Sequence, residues 1–167
     1  MKGKIVLSAD LSMRLDKILQ RLRQKVYPDG IILTDISGQM IAAYSRIKET
    51  NVENLSALFA SSMGATIEIA NEVLEEDGFE FNLHEGKKTS VFISKISNSF
   101  ILAVIFSSAD AAGMIRLFTK RACKEIYDLV NEFEQEVTGE TKVPAVDDDF
   151  SDELSRQIME MFDIKQN

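Results

Sequence analysis

The chain has 167 residues, 45% hydrophobic and 28% charged, which fits one domain plus an appendage and excludes wholesale disorder. A net charge of −8 argues against nucleic acid, whose phosphates demand a basic stripe. The longest apolar run, Phe100 to Phe106, is too short for a membrane span, which needs about 20 residues as a helix.

After Met1 the start reads KGKIVLSAD, with too few apolar residues for a secretory signal, so a cytoplasmic protein is expected. Asp10 to Val26 predicts the first helix. Leu11, Leu15, Ile18, Leu19 and Leu22 recur at three- and four-residue steps, while Arg14, Lys17, Arg21 and Arg23 lie elsewhere on its surface. Ser8 or Asp10 can cap it, and Pro28 follows its end. DGIILTDISGQMIAAYS then gives two short apolar runs separated by Asp35 to Gly38, a hairpin signal.

Asn51 to Glu76 is the longest helical stretch. Leu55, Leu58, Phe59, Thr66, Ile69, Ala70 and Val73 are expected to converge on the core, assuming about 100° per residue. Asp77-Gly78 ends it. Three strands follow: FEFNLH, with Phe79, Phe81 and Leu83 on one face; TSVFISKI after a turn at Glu85 to Lys88; and FILAVIF after a turn at Asn98. FILAVIF is apolar on both sides, as a strand covered on both faces must be.

A third helix is expected from about Asp110 to Val137, with a stripe of Ile115, Phe118, Ala122, Ile126, Leu129 and Phe133. TGETKVPAVDDD reads as a linker, and FSDELSRQIMEMF as a short amphipathic helix with Phe150, Leu154, Ile158, Met161 and Phe162 on one face. From Thr138 onward there are eight acids and three bases, so the acidity belongs mainly to the tail. The domain division is therefore 1–137, an acidic linker over 138–149 and a tail helix over 150–167. The order α-β-β-α-β-β-β-α, with hairpin-length connections, predicts an α+β fold: a five-stranded antiparallel sheet with helices on both faces.

Residues for chemistry are scarce. EGKKTS at 85–90 resembles the end of a phosphate loop, but Phe81 stands where the first glycine belongs. His84 is the sole histidine and sits at a strand end, where a structural or interface role outweighs general-base work. Cys123, the only cysteine, falls in a helical pattern and reads as a small buried hydrophobe; a lone cysteine also precludes a disulfide within the chain. Glu75, Glu76 and Asp77 read as a solvated helix end. No metal-ligand spacing is present, and no cofactor is expected.

The informative feature is the outward face of the second helix. On a helical wheel, Ala57, Ala60, Ser61, Gly64, Glu68 and Asn71 lie opposite Leu55, Phe59, Ile69 and Val73, with Ile67 beside them. Small residues at 57, 61 and 64 lower the surface so that another backbone can approach. Gly64 in mid-helix costs about 1 kcal/mol relative to alanine, which calls for compensation. The plain alternative is an innocuous exposed alanine and serine surface; Ile67 tips the reading toward an interface.

NLSALFASSMGATIEIA followed by FNLHEG and VFISKISNSFILAVIF resembles the Roadblock/dynein light-chain superfamily, and within it the bacterial MglB type. ILTDISGQMIAA, the HEG turn at 84–86, GMIRL at 113–117 and the acidic amphipathic tail fit that type. The resemblance spans nearly the whole chain through order and spacing rather than one diagnostic motif. It implies a homodimer, paired through the 51–76 helices and the FEFNLH strands, that docks an MglA-like small GTPase and stimulates GTP hydrolysis without supplying a catalytic residue. Carried over, the docking surface includes Gly64 and Glu68, with Ala57, Ala60, Ser61 and Asn71 nearby. Glu68 departs from the smaller residue expected there. The tail, anchored by Phe150, Leu154, Ile158, Met161 and Phe162, either binds the GTPase or folds back on its own sheet. Cell polarity or surface motility is the implied process. The alternative is a non-catalytic scaffold subunit that binds partner proteins or peptides.

Overall fold

A computed structural model describes residues 8–48, 51–73, 79–107 and 112–138. The first helix, α1 (Ala9–Val26), begins where Ser8 accepts a hydrogen bond from the Leu11 amide at 3.2 Å, and buries Leu11, Leu15, Ile18, Leu19 and Leu22. It stops at Tyr27, whose left-handed φ of 46° lets its amide close back on the Arg23 carbonyl. Next come strands β1 (Gly30–Asp35) and β2 (Met40–Ser45), helix α2 (Val52–Val73), strands β3 (Phe81–Glu85), β4 (Ser90–Ile96) and β5 (Phe100–Phe106), and helix α3 (Ala112–Thr138). The expected element order holds. The strand built around FEFNLH starts at Phe81, leaving Phe79 before it and 41% exposed. The chain divides into two compact units after Val130, and the sheet belongs to the first. The acidic linker and the tail, with Phe150, Leu154, Ile158, Met161 and Phe162, lie outside the described residues, as do residues 74–78, which include the expected end of the second helix at Glu76.

The sheet runs β2-β1-β5-β4-β3, every neighbouring pair antiparallel. β5 is central, and all seven of its residues are buried. Alternation along the strands sorts their side chains between two faces. Ile101, Ala103 and Ile105 join Ile32 and Ile93 under α2, where Phe59, Ala60 and Met63 complete a core. Leu102 and Val104, with Ile31, Leu33 and Phe92 opposite them in register, point to the other face, which α1 and α3 cover. Phe81 stacks on Phe92 with ring centroids 4.8 Å apart, and Arg116 of α3 lies 4.7 Å over the Phe81 ring. Arg23 of α1 covers Tyr44 of β2 at 4.4 Å.

Two turns fix the registers. Asp35 is buried, and its Oδ1 accepts from the Ser37 amide, the Ser37 hydroxyl and the Gln39 amide at 2.7–2.8 Å. That satisfies a buried carboxylate with three donors and closes the β1–β2 hairpin. Between β4 and β5 the left-handed residue is Ser97, at φ 55°.

Candidate docking face on the second helix

α2 is capped by Asn51, whose side-chain oxygen accepts from the Asn54 amide at 2.8 Å. Its inward side mixes short residues with Phe59 and Met63. Ser56 is fully buried with its hydroxyl returned to the Val52 carbonyl at 2.8 Å, and Ala60, Met63 and Ala70 follow along the same side. Val52, Leu55 and Ile67 flank that core half-buried. Phe59 and Met63 fill the space over the sheet between these short residues.

The expected orientation is therefore corrected by roughly a quarter turn. Leu58, Ile69 and Val73, expected in the core, are 54%, 55% and 65% exposed. Ala60, expected on the outer face, is in the core at 8% exposure, and Ile67 is half-buried against it. Ala57, Ser61, Gly64, Glu68 and Asn71 are exposed. The cause is that α2 carries two apolar stripes, so hydrophobicity alone does not choose between them. The second stripe, Leu58, Ala65 and Ile69 at steps of seven and four, is the signal that marks it.

The helix sides are identified by two contacts. Asn82 of β3 donates from Nδ2 to the Thr66 hydroxyl at 2.6 Å, tying one flank of α2 to β3. On the opposite flank, Gly38 in the β1–β2 turn sits at φ 90°, and a Cβ there would meet the Ala57 Cα at 2.8 Å. Ala57 is thus small because its own hairpin presses on it. Gly64 differs: a Cβ added there meets nothing within 4 Å. Hydroxyls between these points are turned into the helix, with Ser61 bonded to the Ala57 carbonyl at 2.9 Å and Thr66 to that of Ser62 at 3.0 Å. The hydroxyls of this surface spend hydrogen bonds on the helix itself and leave a low relief.

Beside the Thr66 flank, the outer edge of β3 has no strand partner among the described residues. Leu83 is 40% exposed on that strand, and His84 is exposed next to it. An exposed strand edge adjoining an uncovered apolar helix stripe is a template for another chain. Ala57, Gly64, Glu68 and Asn71 form a separate strip along the other side of α2, nearer the β1–β2 turn.

Elsewhere, burial pushes the half-buried Cys123 thiol from its ordinary 9.0 to about 11, against a smaller opposing hydrogen bond with Ser94. A thiol so shifted is a poor nucleophile. Among the described residues, no group of three histidine, cysteine or carboxylate side chains is placed to hold a metal ion, and no helix is long and apolar enough to cross a membrane.

Residues 14–106 match the Roadblock/LC7 domain family. Among solved structures, MglB from Myxococcus xanthus is similar at 23% identity and a TM-score of 0.70, covering 77% of this chain and 96% of that one. The gliding protein MglB from Thermus thermophilus is similar at 20% identity and a TM-score of 0.72, covering 79% and 99%. A further MglB structure, with a tetrameric arrangement, is 21% identical with a TM-score of 0.72 over 79% and 98%. No curated protein sequence matches. At these identities the likeness establishes the fold.

Proposed function

We propose, from the premise that this chain belongs to the Roadblock/LC7 domain family, that it is a homodimeric regulator of a Ras-like small GTPase of the MglA type. The observation that carries this reading is the pairing, among the described residues, of an uncovered apolar stripe on α2 with the unpaired edge of β3. Two copies joined edge to edge extend the sheet and bring the Leu58–Ile69 stripes together, so one contact covers both exposed features. The other strip of α2, around Gly64, then faces outward from the paired helices as a seat for the GTPase. Its notch accepts a close backbone approach, and Glu68 meets a cation of the partner.

Such a regulator accelerates hydrolysis by binding the catalytically competent conformation of the GTPase more tightly than the others. The tail segment, through Phe150, Leu154, Ile158, Met161 and Phe162, provides a second contact with the same GTPase.

The test is phosphate release by a GTP-loaded MglA-type GTPase on titration with this protein, read beside sedimentation. Leu58→Glu with Ile69→Glu should yield a folded monomer. Gly64→Arg should leave the dimer intact and abolish GTPase binding. Deleting residues 150–167 should weaken that binding without abolishing it. Binding with no acceleration of phosphate release would instead assign a scaffold role. Unchanged sedimentation of the double variant would refute pairing through this stripe.

A further inference from the structure

On the face opposite α2, helices α1 and α3 run side by side and are joined by an ion pair between Arg21 and Glu125. A groove of about 210 Å³ opens between them. Its floor is apolar: Ile18 and Leu22 from α1, and Phe118 and Ala122 from α3. Arg21, Lys25, Arg121 and Glu125 stand on its rims, and Arg121 lies 5.3 Å over the Phe118 ring. Each helix contributes the same i, i+3, i+4, i+7 set, so the groove follows about two turns of both helices.

Its volume falls below the roughly 300–1,000 Å³ of ordinary small-molecule pockets, but it accommodates an apolar side chain presented from outside. The charge around it is unusual for this chain. Its lining holds three cations against one acid, Glu125, which is already paired with Arg21, in a protein of net charge −8. A narrow apolar slot flanked by cations complements a helix whose apolar stripe is bordered by carboxylates, and such complementarity favours encounter and orientation. A flat anionic surface would use the cations but leave the slot unfilled.

We propose that this groove docks an acidic amphipathic helix of a partner protein, one apolar side chain seating between Leu22 and Phe118 while flanking carboxylates engage Lys25 and Arg121. The full-length protein is titrated into two labelled synthetic peptides of about 16 residues, or about four turns. They share one leucine and phenylalanine stripe and differ only in carrying glutamate or lysine on its flanks. The glutamate peptide should bind and the lysine peptide should not. Reversing the rim with Lys25→Glu and Arg121→Glu should weaken binding by about tenfold or more. Phe118→Ala should weaken it while leaving the salt dependence in place, with circular dichroism checking the fold. Leu58→Glu with Ile69→Glu should leave peptide binding unchanged, which separates this groove from the α2 surface. Equal binding of both peptides, or indifference to rim reversal, overturns the proposal. So does rim-dependent binding to vesicles of phosphatidylserine in phosphatidylcholine without binding of the glutamate peptide. So, too, does peptide binding that emerges only when residues 150–167 are deleted, which would assign the groove to the chain's own acidic tail.

Discussion

Helices α1 and α2 lie on opposite faces of one sheet and meet it in different ways. α1 sends its leucines and isoleucine inward and shows water a surface of Lys17, Arg21, Arg23 and Lys25, with Met13 its one large exposed apolar side chain. α2 buries Ser56, Ala60 and Ala70 beside Phe59 and Met63, and shows water Leu58, Ile69 and Val73. It has three glutamates and no lysine or arginine. A helix with long charged side chains outside is finished by solvent. One that leaves branched aliphatics outside has an apolar stripe that solvent does not satisfy in the same way.

The sharpest way to break this comparison is to truncate each helix on both sides. Leu15→Ala and Phe59→Ala remove buried side chains and should each cost about 3–4 kcal/mol in denaturant unfolding. Leu58→Ala and Ile69→Ala, measured dilute enough for the chain to be monomeric, should stay within about 0.5 kcal/mol of the parent. The same two changes should weaken self-association. A large unfolding cost at Leu58 in the monomer would mean that the outer stripe already has cover.

The next effect tests how closely α2 is held. Asp35→Ala removes the acceptor of three donors in the hairpin turn and leaves them competing for water, a loss of about 2–3 kcal/mol by thermal or urea unfolding. Gly38→Ala should add strain at φ 90° and drive a methyl against the Ala57 backbone. If α2 sits tightly on the hairpin, this small substitution destabilises despite adding only one carbon; no loss would show that the helix can lift there.

The legibility of the two helices follows the same contrast. On α1 the apolar residues fall on one stripe, so spacing alone places Leu11, Leu15, Ile18, Leu19 and Leu22 in the core, and Ser8 is the cap that the structure uses. β5 is equally plain, because seven consecutive apolar residues require cover on both sides. On α2 the wheel offers two apolar sides, and hydrophobicity alone does not choose between them. Leu58 and Ile69 are more apolar than Ser56 and Ala60, yet the side that packs over Ala103 and its neighbours is the one carrying Phe59, Ala60 and Met63. Gly64 and Glu68 do lie on the outside, but Ala57 owes its size to Gly38, a contact between separate elements that spacing does not reveal. The β3 edge becomes a feature only once the strand order puts it at the end of the sheet.

A smaller effect probes the α3 side. Because burial raises the Cys123 thiol to about 11, its thiolate fraction at pH 8 should be about a hundredfold below that of an ordinary cysteine, so labelling by a disulfide reagent should be slow until the chain unfolds. The folded value is raised, so the associated stability is fully present below the unfolded value near 9 and is lost as pH rises toward 11. Cys123→Ala should flatten that alkaline limb. Rapid labelling of the native protein would mean that α3 leaves the sheet readily, unlike the inner side of α2.

The smallest expected effect comes from an ion pair that links α3 to the approach to β3. Lys120 donates to Glu80 and holds its carboxyl below the usual 4.5, first through the hydrogen bond and then through charge, with Arg116 adding a weaker pull. A depressed folded value contributes stability that is present above the unfolded value and disappears as pH falls through the folded one. The window is therefore acidic, opening near pH 4.5 and extending below it. Both side chains are well exposed, so salt should screen the pair heavily. Glu80→Gln should shift the unfolding midpoint slightly at neutral pH and low salt, and the shift should vanish both in acid and in high salt. A shift that survives high salt would mean that Lys120 acts there through packing on the Phe81 ring, 5.7 Å away, rather than through charge. In that case α3 would be held over β3 by the apolar stem of a lysine, and its face would resemble α2's more than its charge suggests.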